Sequence, residues 1–413
     1  MKQIILLVTT ILLFSNILGQ VKPASAPLKN ITVKENSIDP ISPVIEKKSS
    51  ISGKIEGFGS DTVFIKRVNA SNLNIVFIDT VLAKESSFTS TFSISETFIC
   101  MIFTNRCFVK RQNGRPFLPE TKTIKVFVEP GKNIEISGKL NKKYLDYIAK
   151  GDTLNEEFSL YRTSSLIKNV DMVNYMLKLD SMEEVGVAES IIDKLGEEYN
   201  KKKIESLAVE RNYIKANPAK DLSAVFLMNL PLDSVPVYLS VLDESVKNGI
   251  FNKMIVNLTE RFVIYKRTLD SQKKVLVGTQ APEFELKSLK GNNVKLSDFK
   301  NKYLVIDFWG SWCSWCIKGI PQMKEYYSKY KDKVEFIGIA CRDKDEPWRS
   351  AIKKYGLDWV QLFNQTSIDA VTLYGVTGFP TKFILDKNHK VVFKVIGEDP
   401  IFYKKLDELL GKE

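Results

Sequence analysis

Two cysteines separated by two residues are the strongest chemical signal in this sequence. Cys313 and Cys316 lie in the run WCSWC, directly after the apolar segment Tyr303 to Trp309, where a buried strand is predicted to lead into a helix. A thiol in the first turn of a helix faces unpaired backbone N–H groups and the positive end of the helix dipole, which favour the thiolate. Cys313 is therefore predicted to attack a substrate disulfide, and Cys316, one turn further on, to resolve the resulting mixed disulfide.

A C-x-x-C pair can instead provide half of a zinc site. Most structural zinc sites use four ligands. The chain has a single histidine, His389, and its remaining cysteines, Cys100, Cys107 and Cys341, form no second C-x-x-C pair. A redox dithiol is therefore favoured, and no metal or other cofactor is predicted.

An acid in the predicted strand is the next candidate for chemistry. Asp307 has apolar neighbours on both sides in the run YLVIDFW, so burial is expected to raise its pKa and let it accept the Cys316 proton during resolution. The alternative is a structural carboxylate bonded to the backbone, since buried polar groups are usually satisfied that way. We assign the proton-accepting role to Asp307.

A third set of residues is predicted to bind substrate. Gly378-Phe379-Pro380 precedes a predicted strand and suits a cis peptide, because X-Pro is the bond at which the cis form costs least. A cis-proline loop exposes backbone groups that can pair with an extended substrate, and an ordinary trans turn is the alternative. Trp312 and Trp315 flank the sulfurs and either offer substrate an apolar face or cover the core. With Phe379 and Pro380 they complete the predicted substrate-binding set.

Length and composition indicate a globular protein of two or three domains. The chain has 413 residues, of which 44% are hydrophobic and 26% charged, and its net charge is +11. Because the lysines are spread along the whole chain, the charge is interpreted as a solvated basic surface, and no nucleic-acid partner is expected.

The amino terminus has the layout of a secretory signal peptide, predicted for residues 1–19. Lys2 is followed by an apolar stretch from Ile4 to Phe14, which is too short to span a bilayer. The predicted location is the periplasm or another extracytoplasmic compartment, with the protein soluble after cleavage and tethered to the membrane only if the signal is uncleaved.

Export bears on the remaining cysteines. In an oxidising compartment a dithiol protein must exchange electrons with a partner. If Cys313 and Cys316 pair, Cys100 and Cys107 are candidates for a second bridge, and Cys341 stays single. Cys341 follows a predicted strand and either receives the disulfide or is an inert core residue.

Three regions follow the signal. Residues 20–48 hold four prolines and are predicted to be a mobile lead segment. Period-two alternation over 49–139 predicts a small antiparallel β domain, interpreted as a docking or spacer module. Helical spacing over 140–272 predicts a helical segment that packs on a neighbour or forms a dimer. Residues 278–413 alternate strands and helices, which implies an α/β domain with a mostly parallel sheet and a site at the carboxyl ends of its strands.

The last region resembles the thioredoxin fold, and within it the exported thiol:disulfide oxidoreductases of the TlpA/ResA kind. The matching runs, over about residues 278–411, are APEF, FWGSWCSWC, YGVTGFPT and FILDKNHKVV. The resemblance implies that Cys313 is the nucleophile, Cys316 the resolving thiol and Pro380 the cis-proline, and that Asp307 matches an acid of thioredoxins. Members of the exported group often carry a glutamate where this chain has Gly319. The amino-terminal half resembles long Bacteroidetes-type members.

The sequence therefore predicts an exported thiol:disulfide oxidoreductase that reduces disulfides of exported proteins and is itself reduced by an electron-donor protein. One alternative is a thiol peroxidase, which would need Thr and Arg around its cysteine, whereas Gly310, Ser311 and Trp312 precede Cys313. The other is a non-catalytic interaction protein that uses the thioredoxin-like part as a scaffold.

Overall fold

The structure, a computed structural model, describes residues 45–71, 75–111, 114–184, 187–364 and 369–411. The predicted signal peptide and the lead segment up to residue 44 lie outside the described residues. The chain forms two compact units that divide between Glu260 and Arg261. Within the described ranges, no helix has both the length and the apolar character needed to cross a membrane.

The first unit begins with two four-stranded sheets. Their orders are β10-β9-β1-β4 and β3-β2-β5-β8, and neighbouring strands are antiparallel except β1 and β9, which are parallel. Apolar side chains at alternate positions, such as Ile51, Val63 and Ile136, form the core that the sheets share. The strands of this unit are β1 (Lys47–Glu56), β2 (Thr62–Asn69), β3 (Ile75–Leu82), β4 (Ser87–Ile94), β5 (Phe98–Thr104), β6 (Val109–Lys110), β7 (Pro116–Phe117), β8 (Ile124–Val128), β9 (Asn133–Leu140) and β10 (Leu145–Lys150).

The β region extends past residue 139, where the sequence analysis placed its end. Strand β10 pairs with β9 and buries Leu145, Tyr147 and Ala149. Gly138, one residue before that predicted end, lies inside β9, where a Cβ atom would be 2.3 Å from the Asp146 carbonyl oxygen. The glycine allows a close approach of two strands, and the period-two pattern resumes after it.

Helices form the rest of the first unit from Thr153 onward, so the predicted helical segment begins later than residue 140. They pack on the sheet around Phe127, whose ring centroid is 5.3 Å from that of Phe158 and 6.1 Å from that of Phe251. The helices are α1 (Thr153–Glu184), α2 (Glu189–Ala216), α3 (Asp221–Leu227), α4 (Val235–Leu239), α5 (Glu244–Lys247) and α6 (Asn252–Lys274), and the division between the units falls within α6.

The second unit is a seven-stranded sheet of order β12-β11-β15-β14-β13-β16-β17 with helices packed against it. Its strands are β11 (Glu285–Ser288), β12 (Asn293–Lys295), β13 (Tyr303–Trp309), β14 (Val334–Ala340), β15 (Val360–Phe363), β16 (Thr381–Leu385) and β17 (Val391–Ile396). Its helices are α7 (Ser314–Tyr330), α8 (Asp345–Tyr355), α9 (Ala370–Leu373) and α10 (Pro400–Leu410). This arrangement is the thioredoxin fold expected from the sequence.

The prediction of a mostly parallel sheet is wrong. Only β13, β14 and β15 run parallel to one another, because the strands added at both sides come from antiparallel hairpins. Strand β13 lies inside the sheet, between β14 and β16, and its carboxyl end leads to α7. The fold therefore places the dithiol at the end of a central strand.

Candidate active site

The dithiol lies where β13 ends and α7 begins. Cys313 is the N-cap residue of α7, and its Sγ accepts a hydrogen bond from the Cys316 backbone N–H at 3.2 Å. The two sulfurs are bonded at 2.10 Å, with Cα atoms 5.3 Å apart, so the structure holds the oxidised pair. Both side chains belong to the core of the second unit and are only 6% exposed. A backbone donor thus already points at the sulfur predicted to be the nucleophile.

The loop before the dithiol is held by the segment that follows β14. The Ser311 backbone N–H and its hydroxyl donate to the two carboxylate oxygens of Asp343 at 2.6 Å and 2.8 Å. The Trp312 indole N–H donates to the Cys341 carbonyl at 3.0 Å. Three hydrogen bonds therefore fix the approach to Cys313. No local pattern in the sequence marks Ser311 or Asp343 as contributors to the site, since only the parallel pairing of β13 with β14 brings their loops together.

An exposed aromatic surface, formed by Trp312 and Trp315, lies beside the sulfurs. Trp312 is 51% exposed and Trp315 41% exposed. The Trp312 ring packs edge-on against Phe379, with centroids 5.5 Å apart, and the Arg342 guanidinium lies 5.5 Å from the Phe379 centroid. Large side chains with this much exposure cover little of the core, which favours contact with another molecule.

The Phe379-Pro380 peptide bond is cis, as predicted. Phe379 and Pro380 are themselves buried, and the Pro380 carbonyl accepts a hydrogen bond from the Gly397 N–H at 2.7 Å. The predicted substrate-binding set therefore divides into two exposed rings and a buried support. Contact between substrate and these residues stays a prediction.

Asp307 lies on β13 opposite Lys382 on β16. Its side chain is 16% exposed, its Oδ1 lies 3.8 Å from the Lys382 Nζ, and that oxygen has no hydrogen-bond partner among the described residues. Burial raises the pKa of Asp307 to about 6, although Lys382 opposes the change, and the nearby Glu398 adds to it. An acid that titrates near neutrality can take a proton from a thiol and later release it.

Asp307 and Cys316 share one small cavity. Its volume is about 10 Å³, at the lower limit of the space that one water molecule needs, and Gly319 and Lys382 also line it. The Asp307 carboxylate and Cys316 therefore face the same small space. The role of Asp307 as proton acceptor stays a prediction.

Two further charged residues complete this group, and the sequence analysis missed both. The Lys382 Nζ lies 2.5 Å from the Glu398 Oε2, and the Tyr403 hydroxyl donates to the Glu398 Oε1 at 2.7 Å. A lysine within the apolar run Thr381–Leu385 is a signal that could have identified Lys382. Nothing local marks Glu398, which lies in the loop between β17 and α10.

The three cysteines outside the dithiol are buried free thiols. Cys100 and Cys107, the candidates for a second bridge, are therefore unpaired in this structure, and Cys107 accepts a hydrogen bond from the Thr104 N–H at 3.4 Å. Burial raises the pKa of Cys100 to about 12 and raises that of Cys341 well above its ordinary value. The Cys341 thiol donates to the Ile339 carbonyl at 3.2 Å, which favours an inert core residue over a thiol that receives the disulfide. Among the described residues, no group of His, Cys, Asp and Glu side chains could hold a metal ion.

Comparisons with known proteins concern the second unit. The model of the AhpC/TSA family matches residues 277–394. The thiol-disulfide oxidoreductase ResA of Bacillus cereus (strain ATCC 10987 / NRS 248) is 34% identical over 152 residues, which cover 37% of this chain and 86% of the relative. ResA of Bacillus anthracis is 36% identical over 138 residues, 33% of this chain and 79% of the relative. The thioredoxin domain of a thiol-disulfide oxidoreductase from Bacteroides vulgatus, a solved structure, is 32% identical, with coverage of 33% and 98% and a TM-score of 0.31.

Proposed function

Because this chain belongs to the family of ResA thiol-disulfide oxidoreductases through its second unit, we propose that it is an exported reductase of protein disulfides that works through Cys313 and Cys316. The observation that supports the proposal most strongly is the N-cap position of Cys313, whose sulfur accepts a hydrogen bond from the Cys316 N–H. That position stabilises a thiolate at Cys313 and keeps the second sulfur within reach of it.

The reaction proceeds by two sulfur exchanges. The Cys313 thiolate attacks one sulfur of a substrate disulfide, which forms a mixed disulfide and releases the first substrate thiolate. Cys316 then gives its proton to Asp307 and attacks the Cys313 sulfur. The second substrate thiolate leaves, and the Cys313–Cys316 disulfide seen in the structure remains. Two electrons have passed to the substrate, and an electron-donor protein must return the dithiol to its reduced state.

The exposed tryptophans indicate the kind of substrate. Trp312 and Trp315 offer apolar rings beside the sulfurs, and the Lys318 ammonium lies 4.5 Å from the Trp315 ring centroid. Such a surface suits an extended, partly apolar segment of a protein that carries a disulfide. The signal-peptide layout at the amino terminus supports an extracytoplasmic location, where disulfides in proteins are abundant.

Trapping experiments test this function. Cys316→Ser is expected to accumulate a mixed disulfide with a disulfide-containing protein, because the first exchange proceeds and the second cannot. Cys313→Ser is expected to trap nothing and to lose turnover, and Cys341→Ser serves as the matched control with unchanged turnover. Mass spectrometry of the adducts and a reduction assay provide the readouts. Turnover of a disulfide by Cys313→Ser would refute the assignment of the nucleophile.

The same assay separates the alternatives. A reduced wild-type protein that leaves disulfides intact would indicate an interaction protein built on this fold. A reduced protein that consumes hydrogen peroxide faster than disulfides would indicate a peroxidase. The structure does not favour this outcome, because the hydroxyl of Ser311, close before the dithiol, already donates a hydrogen bond to Asp343.

A further inference from the structure

Two carboxylates share one lysine beneath the resolving cysteine. Asp307 and Glu398 both face Lys382, whose side chain is only 3% exposed. A buried cation between two buried acids can neutralise only one of them fully. Which acid it neutralises decides how readily the other takes a proton.

The distances show that Lys382 forms its closer ion pair with Glu398. The Lys382 Nζ lies 2.5 Å from the Glu398 Oε2 but 3.8 Å from the Asp307 Oδ1. The Tyr403 hydroxyl holds the other oxygen of Glu398 at 2.7 Å. Asp307 is therefore the acid farther from the ammonium group, although it faces that group across the sheet.

A glycine on the active-site helix makes room for this arrangement. Gly319 follows Cys316 by one helical turn, and a Cβ atom at that position would be 2.2 Å from the Glu398 Oε2. Any larger residue there would displace the carboxylate from Lys382. The helix that carries the resolving thiol thus also positions the lysine's partner.

We propose that Glu398 is a positioning residue for the resolving step, which holds the Lys382 ammonium away from Asp307 and thereby keeps the Asp307 carboxylate basic enough to take the Cys316 proton. The inference rests on the proposed function, because the step belongs to the dithiol reaction. Glu398 itself gains or loses no proton: the proton moves from Cys316 to Asp307, the Cys316 thiolate attacks the Cys313 sulfur, and the substrate thiolate leaves.

The charges that face Asp307 from its surroundings agree with this account. Lys382 approaches from β16 and Glu398 from the loop after β17, while Tyr403 lies on α10, Cys316 on α7 and Cys341 after β14. Lys382 is the cation in this group and the one that opposes the raised pKa of Asp307. Burial is the largest cause of that raised pKa, and the position of Lys382 modifies it.

The resolving step can be timed with dithiobis(nitrobenzoate), an aromatic disulfide whose thiolate product absorbs visible light. Reduced full-length protein releases the first thiolate when Cys313 attacks and the second when Cys316 resolves. The rate of the second release, measured by stopped flow across acidic and neutral pH, is expected to rise with a midpoint near 6 in the wild type.

Substitutions of Glu398 and of Lys382 are expected to shift the pH midpoint of the second release in opposite directions. Glu398→Gln frees Lys382 to pair with Asp307 and moves the midpoint to lower pH, where a shift of about one unit raises the ionised fraction at about pH 5 roughly fivefold. Lys382→Met leaves two acids without a cation and moves the midpoint to higher pH, whereas Lys382→Arg keeps the charge and the wild-type midpoint.

A second group of the same chemistry supplies the control. Asp407 binds Lys329, Tyr326 and Tyr330, which are also a lysine and tyrosines around one carboxylate, but at the far end of α7. Asp407→Asn is expected to leave the midpoint unchanged.

Independent titration keeps the two proposals distinguishable. Carboxyl ¹³C NMR of Asp307 in the oxidised protein measures its ionisation without turnover. A wild type that releases no thiolate would sink the proposed function and leave this titration to decide the inference. Equal Asp307 titration in wild type and Glu398→Gln, or shifts of the same sign in Glu398→Gln and Lys382→Met, would overturn it. If Lys382→Met does not fold, Glu398→Gln decides alone.

Discussion

Replacement of Asp307 by asparagine should stabilise the second unit at neutral pH and not at acidic pH. The change removes a charge from a side chain that is 16% exposed and has an oxygen without a hydrogen-bond partner among the described residues. Because asparagine has nearly the same shape, packing against β16 and α7 should be kept. The resolving step should slow at the same time, since its proton acceptor is gone.

The magnitude follows from the pKa of Asp307, which burial raises from 3.8 to about 6. The folded protein then binds more protons than the unfolded chain between these values. Its stability from this group is fully present below the lower pKa and is lost as pH rises through the higher one. At about 1.4 kcal/mol per unit, the ionised form costs about 2 to 3 kcal/mol at neutral pH. Asp307→Asn should therefore be more stable than wild type by about that amount at about pH 7.5, and the gap should close towards about pH 4.

Tryptophan fluorescence during equilibrium denaturation of the oxidised full chain measures this directly. All five tryptophans lie in residues 309–359, so the signal reports on the second unit alone. Asp407→Asn is a matched control for which the expected change in stability has the opposite sign. Hydrogen bonds from Lys329 and Tyr330 lower the pKa of Asp407 to about 2. Loss of this carboxylate should therefore destabilise the protein at neutral pH, and the effect should diminish as pH falls through about 2. A stability difference for Asp307→Asn that is negative, or that does not change with pH, would refute the reasoning.

Three other outcomes follow from the geometry. Gly319→Ala should lower the melting temperature and cost about 1 to 3 kcal/mol, because a Cβ atom would lie 2.2 Å from the Glu398 Oε2; an unchanged melting curve would contradict the close contact. Asp343→Ala should cost about 1 to 3 kcal/mol and slow the first thiolate release, because both hydrogen bonds from Ser311 are lost; Ser311→Ala should show a smaller effect in the same stopped-flow assay. Reduced native protein should show two fast thiols with an aromatic disulfide, and the three buried cysteines should react only in denaturant, so a third fast thiol would disprove their burial.

Local patterns were enough to predict the elements that carry the dithiol. Strand β13 has the bounds of the apolar segment from which it was predicted, Tyr303–Trp309, and it leads into helix α7 as expected. These signals depend on residues close together in the chain, where side-chain period and turn residues directly reflect the backbone. The cis bond before Pro380 was predictable for the same reason, since it depends on one residue type in one turn.

The end of the β domain was misplaced because a glycine has two opposite meanings. Glycine residues often mark the end of a strand. Gly138 instead lies within a strand and lets Tyr147 of the neighbouring strand approach closely. Only the pairing partner distinguishes these cases, and a single sequence does not specify the partner.

By itself, the sequence determined the chemistry available to this protein: two thiols at the start of a helix and an acid in the strand before it, all within ten residues, from Asp307 to Cys316. Tertiary structure alone decided which charged groups surround that acid. Lys382 and Glu398 reach Asp307 from a neighbouring strand and from the loop after the next one. Their contacts join residues far apart in the chain, so they depend on strand order and loop path, and these are set by the packing of the whole unit rather than by any local run of residues.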